Sequence, residues 1–249
     1  MQRSLEVAKE VQQNLLPRSA PTVEGLDIAG TSLYCDETGG DYYDYIEFKR
    51  FGGARIDVVI GDVSGHGVSS ALLMATTRAF LRQRAALPGT TAEIISDVNR
   101  QLSRDVADSG SFMTMFYLMI DKAGACLHWV RAGHDPAILY DPETSEIIEL
   151  KGAGIALGVD EDYAFTENLR GDLRAGQIVL LGTDGIWEAR NPAGEMFGKE
   201  GIYSVLREHA DLSAQAILDK IIEKLRVFQA GGVVEDDVTL IVVKTTEAF

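Results

Sequence analysis

Four groups of acidic residues stand beside glycine or at the ends of apolar runs: Gly39-Gly40-Asp41, Gly61-Asp62-Val63-Ser64-Gly65-His66-Gly67, Thr183-Asp184-Gly185 and Glu235-Asp236-Asp237. A lone Asp-Gly pair marks a turn. Four groups from distant parts of the chain, each abutting a strand-like run, suit shared chemistry. Several aspartates without cysteine are oxygen donors for hard divalent cations such as Mg²⁺ and Mn²⁺. Two such cations joined by one carboxylate lower the pKa of a water held between them. The resulting hydroxide can attack phosphorus while the cations neutralise the phosphoryl oxygens. No protein nucleophile is then needed, and the chain contains no G-x-S-x-G elbow, P-loop or H-E-x-x-H motif.

The elements that must position these groups follow from periodicity. Leu5, Ala8, Val11 and Leu15 predict an amphipathic helix over residues 1–16, stopped by Pro17. Strand-like runs follow: LDIAGTSLY, DYYDYIEF and RIDVVIGDV, the last two joined at a Gly52-Gly53 turn. Val68, Leu72, Ala75 and Ala79 predict a helix to about Leu87. Thr90 and Glu93 offer a capping box for a second, with Ile94, Val98, Leu102 and Val106 on one face. FMTMFYLMID, CLHWVRAG, AILYD, EIIEL, QIVLLGTDG and VTLIVVKT read as strands. Residues 200–209 and 213–228 read as helices, the second capped by Ser213. Hairpin-linked strands and paired helices are not βαβ alternation, so the fold class is α+β with antiparallel sheets. Asp44 reads as a solvated turn carboxylate, and Met113, Met115 and Met119 as a core stripe. Arg82 and Arg84 read as cations suited to a helix C-terminus. His134 suits a structural hydrogen bond, His128 and Trp129 surface and packing roles, and Trp187 packing beneath the Asp184 loop.

With 249 residues, the chain is long enough for a core that needs no staples. Its 38 acidic and 23 basic residues give a net charge of −15, which argues against nucleic acid or an anionic membrane as the main partner. No apolar run approaches a membrane span, so no membrane insertion is expected. Cys35 and Cys126 cannot form a disulfide framework and are read as reduced or buried thiols of a cytoplasmic protein.

The ordered stretches VQQNLLP, GGDYYDY, GDVSGHG with ALLMA, RAGHDPAILY, GIALGV, LLGTDGIWEARNPAGEMFG and EDDVTLIVV carry a resemblance over nearly the whole chain. The chain resembles the metal-dependent serine/threonine phosphatases of the protein phosphatase 2C (PPM) type, in the bacterial SpoIIE/RsbU branch. The resemblance implies an αββα sandwich over residues 17–249, with residues 1–16 as a linker or regulatory helix. It implies two Mn²⁺ or Mg²⁺ ions: Asp62 bridging both, the Val63 carbonyl and Asp41 on one, and Asp184 with Asp236 on the other. Asp237 then orients Asp236 or exchanges roles with it, and Asp62 and Asp41 carry the catalytic assignment. In animal members the histidine assigned as general acid lies just after the bridging Asp-Gly, whereas here Val63-Ser64-Gly65 intervenes before His66.

The implied reaction is hydrolysis of phosphoserine or phosphothreonine on a STAS-type anti-sigma-factor antagonist in partner switching. An upstream sensor or receiver domain, and a homodimer formed through the N-terminal helix, are the implied partners. Two rival readings are a catalytically weak scaffold of the same fold and a hydrolase of small phosphoesters.

Overall fold

The computed structural model describes residues 2–35, 38–47, 55–231 and 236–247, with side chains from Glu6 onward. The Gly52-Gly53 turn, Glu235 and the Leu5 side chain lie outside the described residues. Two five-stranded antiparallel sheets face each other, matching the implied sandwich. The first contains β1 (Leu26–Leu33), β10 (Val238–Thr245), β9 (Ile178–Gly182), β6 (Ala137–Asp141) and β7 (Glu146–Leu150), in that order. The second contains β2 (Tyr42–Glu47), β3 (Arg55–Val63), β4 (Met113–Asp121), β5 (Cys126–Ala132) and β8 (Asn168–Arg170). β9 is buried at every position and β2 at every position but the last, so these runs lack the alternation of a one-sided sheet. Ile60, Val59, Phe116, Tyr117, Val130 and Ile241 are fully buried in the main core. A second core lies between the first sheet and its helices, around Ile202, Ile217, Ile221 and Leu240.

Helices cover both outer faces. α2 (Val68–Ala85) and α3 (Thr91–Val106) pack together on the second sheet; α5 (Gly198–His209) and α6 (Ala214–Gln229) cover the first. The capping box that opens α3 is formed on both sides: the Thr90 hydroxyl accepts from Glu93 N–H and the Glu93 carboxylate from Thr90 N–H. Such a cap is worth about 1 kcal/mol. Ser213 caps α6, accepting from Ala216 N–H at 3.3 Å. The three-residue β8 and the one-turn α4 (Asp184–Trp187) are too short for periodicity to reveal.

Several side chains depart from the sequence reading. The α2 stripe faces the wrong way: Leu72 is 64% exposed, Ala79 is also exposed, and the buried face is Ala71, Met74, Thr77, Leu81 and Ala85. Apolar and polar residues are scarcely segregated around α2, so its pattern cannot select a face. Asp44 is buried and not a solvated turn residue; it accepts from Arg82 at 2.5 Å and from the Tyr42 hydroxyl at 2.9 Å. Arg82 thus reaches sideways to β2, and Arg84 binds Asp97. Met113 and Met115 are buried, whereas Met119 is only half-buried. Cys35 is exposed and Cys126 half-buried, so of the two alternatives, reduced or buried, the buried one does not hold.

α1 (Gln2–Leu15) packs against α2, and Leu16 enters the main core. The seam is rotated from the expected one. Ala8 and Leu15 are half-buried, but Val11 is 58% exposed. Gln12 takes the inward place, donating to the Gly39 carbonyl at 2.6 Å and accepting from Gly39 N–H at 3.2 Å. Among the described residues no helix is long and apolar enough to cross a membrane.

Candidate metal centre

Strand pairing gathers the acidic groups at one end of the sandwich. β10 runs antiparallel to β9, so residues before Val238 meet residues after Gly182. In the second sheet Tyr42 pairs with Gly61, which sets the start of β2 beside the end of β3. Gly40-Asp41, Asp62-Val63, Thr183-Asp184 and Asp236-Asp237 therefore converge from two sheets.

Hydrogen bonds lock the four segments together. The Asp237 carboxylate accepts from Cys35 N–H at 2.9 Å with one oxygen and from Gly40 N–H at 3.0 Å with the other. Val63 N–H donates to the Gly40 carbonyl at 3.3 Å. The Thr183 hydroxyl accepts from Thr239 N–H at 3.0 Å and donates to Asp41 Oδ2 at 2.9 Å. Asp236 Oδ1 accepts from Asp237 N–H, and the Asp236 residue is exposed. Asp237, by contrast, is buried with both oxygens engaged by backbone. Asp236 is thus left exposed, with its charge acting on Asp62 and Asp184, while Asp237 forms a clasp between the loops.

The electrostatics favour cation binding. Burial, and then the charges of Asp184, Asp236 and Asp237, push Asp62 up to about 7. Burial and the adjacent Asp62 hold Asp41 well above the usual carboxylate range. Burial, Asp236, Glu188 and Asp135 raise Asp184. Among the described residues none of these carboxylates is paired with lysine or arginine. Like charges gathered without a counter-charge are costly, and a divalent cation reverses the sign of that cost. The all-oxygen donor set fits Mg²⁺ or Mn²⁺.

Glycines leave the needed space. A Cβ at Gly40 would lie 2.7 Å from the Val63 carbonyl oxygen and 3.0 Å from Asp62 Oδ1. Gly65 and Gly67 adopt φ of 85° and 81°, which carries the chain sharply from β3 into α2 and leaves His66 exposed on the loop. Ser64 pins that loop, exchanging hydrogen bonds with the Phe112 backbone.

The roles of Thr183, Gln12 and Thr239 escaped the sequence reading, because each bonds to a segment far away in the chain. Trp187 packs against Gly182 and donates through Nε1 to Asp135 Oδ2 at 3.1 Å. His134 is buried and structural. Its Nε2 lies 3.2 Å from the Gly182 carbonyl, so Nε2 carries the proton, and Nδ1 faces the Thr114 hydroxyl at 2.8 Å. These bonds join the two sheets directly behind the acidic cluster.

Burial lowers the His134 pKa to about 4. The unfolded ring titrates near 6.5, so the neutral ring contributes stability at pH 7 that is lost as the pH falls from about 6.5 to about 4, on the order of 3 kcal/mol. Replacing His134 by Gln should flatten the pH dependence of unfolding free energy across that window. Chemical denaturation of both proteins from pH 7 to pH 4 checks this, and parallel curves would contradict it.

Comparisons with known proteins agree with this fold. The family described as Stage II sporulation protein E (SpoIIE) matches residues 52–246. Phosphoserine phosphatase RsbU of Bacillus subtilis is 30% identical over 96% of this chain and 69% of its own length. Phosphoserine phosphatase RsbP of the same organism is 26% identical over 97% of this chain and 57% of its own. Among solved structures, the SiaA-PP2C domain of Pseudomonas aeruginosa superposes with a TM-score of 0.82 at 26% identity, covering 97% of this chain and 96% of that one. The RsbU and RsbW domains of Rv1364c from Mycobacterium tuberculosis give 0.77 at 27% identity, over 94% of this chain and 64% of that one. Sandwich, ordered motifs and relatives agree, and the chain belongs to the SpoIIE family as a phosphatase domain of the protein phosphatase 2C type.

Proposed function

We propose that this domain holds two divalent cations, Mn²⁺ or Mg²⁺, on Asp41, Asp62, the Val63 carbonyl, Asp184 and Asp236, and that its substrate is a phosphorylated STAS-type protein in a partner-switching pathway. The protein is a metal-dependent serine/threonine phosphatase; the ions' number and identity, their ligands and the substrate are the proposed part. One observation carries the ligand set: aspartates from four distant segments converge without a lysine or arginine partner among the described residues. When bound, such cations supply a hydroxide near neutral pH and neutralise the phosphoryl oxygens.

The chain's own residues do the positioning. Thr183 fixes one oxygen of Asp41 through its hydroxyl. Asp237 ties the Cys35–Gly40 segment to the start of β10, so the ligand loops of both sheets move together. Asp62, held near 7, gives up a proton when a cation binds, so metal affinity should weaken as the pH falls below neutrality. A phosphoserine substrate is supported by the names of RsbU and RsbP, both phosphoserine phosphatases. A STAS-type phosphoprotein should be turned over with Mn²⁺ or Mg²⁺, lose turnover in excess EDTA and recover it on readdition. It should also exceed p-nitrophenyl phosphate in kcat/KM. Full activity in EDTA on metal-free protein contradicts the metal assignment. Preference for the small ester favours a small-phosphoester hydrolase, and no turnover of either favours a scaffold.

The relatives RsbU and RsbP are longer than the aligned region, consistent with an upstream sensor or receiver domain acting through α1. Val7 and Val11, one turn apart, are 55% and 58% exposed and suit pairing with a second copy. Exchanging both for Glu should abolish self-association and shift turnover while leaving the fold intact. Light scattering and turnover on the same samples read this out; wild-type mass and rate would rule out the dimer contact.

A further inference from the structure

The β4–β5 hairpin carries a second cluster of metal-ligating side chains, chemically unlike the aspartate centre. Thr114 pairs with Asp62, and Asp121 lies seven residues further along β4. At about 3.4 Å per residue the two sites stand roughly 24 Å apart. Asp121 is directly opposite Cys126 in the strand register. Cys126 and His128 are two residues apart, so both project from the same face of β5. Their donor atoms, with a carboxylate oxygen of Asp121, lie within 4.8 Å of one another. Cys126 Sγ is 3.3 Å from His128 Nε2 and 3.9 Å from Asp121 Oδ2. Ligands held tetrahedrally at about 2.3 Å for sulfur and about 2.0 Å for nitrogen or oxygen are themselves about 3.5 Å apart.

Two further observations point to a ligand. The first is the support behind His128. Its Nδ1 lies 3.1 Å from Glu167 Oε1, while Glu167 Oε2 accepts from Thr91 N–H at 3.0 Å and from the Thr91 hydroxyl at 2.5 Å. A carboxylate anchored in this way holds the proton on Nδ1 and turns the Nε2 lone pair toward Cys126 and Asp121, the arrangement found behind metal-bound histidines. The second is space. A Cβ at Gly124 would stand 2.8 Å from Asp121 Oδ2 and 3.1 Å from Cys126 Sγ, so glycine keeps the donors accessible. All three residues are half-buried, which leaves an entry path.

We propose that Asp121, Cys126 and His128 form a second metal site, for a thiophilic divalent cation of the zinc class, with Glu167 positioning His128 and a fourth position open. The charge count agrees. A thiolate and a carboxylate bring two negative charges, which one divalent cation balances. Without a cation, burial and the neighbouring Asp121 raise the Cys126 thiol pKa, so metal binding should release a proton. Hard Mg²⁺ prefers the all-oxygen centre and a softer ion the Cys-His-Asp cluster, so both can be filled at once.

The test is a Co²⁺ titration of the metal-stripped full chain, in excess Mg²⁺ to fill the aspartate centre. The readout is the near-ultraviolet thiolate-to-cobalt absorption, which oxygen ligands do not give. One equivalent should develop the band and one equivalent of Zn²⁺ should remove it. Cys126→Ser should abolish the band; Cys35→Ser and Asp62→Asn should keep it. Glu167→Gln should weaken Co²⁺ affinity about ten- to a hundredfold. His128→Gln and Gly124→Ala, which leave the thiol in place, should weaken it comparably or more. They also serve as the test if Cys126→Ser does not fold. No band near stoichiometry, a band that survives Cys126→Ser, or one indifferent to both His128→Gln and Gly124→Ala would overturn the site. The last pattern would mean a lone thiol binding metal without the cluster.

Discussion

Asp62→Asn is expected to lower turnover of a phosphoserine protein at saturating Mn²⁺ at least about a thousandfold, on the order of 4 kcal/mol of transition-state stabilisation. Asp62 is the carboxylate whose charge couples to Asp184, Asp236 and Asp237 together, and Gly40 brings the β1–β2 connection against it. Asparagine keeps the shape and removes the charge. The fold should survive and, in EDTA, gain stability. Asp62 is held up at about 7 in the folded protein against about 3.9 when unfolded, so its cost to stability builds as the pH rises from about 4 to about 7 and is complete above that. The gain in the Asn variant should therefore be full at pH 8 and only partial at pH 5. Turnover with thermal unfolding at both pH values provides the check. Near-wild-type turnover would remove Asp62 from the bridging role, and a variant less stable than wild type at pH 8 would show that its charge is not a burden on the fold.

Gly185→Ala is expected to lower activity roughly a hundredfold through geometry alone. A Cβ at Gly185 would stand 2.0 Å from the Asp237 carbonyl oxygen and 3.0 Å from its carbon, both backbone atoms. Nothing flexible can yield there. The loop before β10 must retreat, drawing the Asp237 carboxylate from the N–H groups of Cys35 and Gly40 and separating Asp184 from Asp236. A displacement of about 1 Å in a catalytic constellation costs roughly a hundredfold in rate. Overpacking of this kind costs about 1–3 kcal/mol of stability. The metal concentration for half-maximal activity should rise in parallel. Gly171→Ala is the control, since a Cβ there meets nothing within 4 Å. Unchanged turnover and metal requirement in Gly185→Ala would show that the two loops are not held in register by this contact.

Both expectations rest on residues that the sequence brings forward and on distances that it does not contain. The acidic groups are legible because each ends an apolar run beside glycine or opens one, a local signal. The α3 capping box is legible for the same reason, since its two partners are three residues apart. Thr183, the residue that holds Asp41, is 142 positions away from it, and Gly40 is 197 from Asp237. No periodicity spans such intervals.

The sequence by itself determined the chemistry available: hard oxygen donors in four places, antiparallel strands to deliver them, and ordered motifs specific to one family. Only the tertiary structure decided which groups act on which. It turned the solvent-facing stripe of α2 outward, buried Asp44 against Arg82, separated Asp236 from the clasp at Asp237, and set Asp121, Cys126 and His128 on one face of a hairpin. The reason is that side-chain period reports a residue's neighbours along its own strand or helix. The face that is buried, and the charge that is paired, depend on elements packed from elsewhere in the chain.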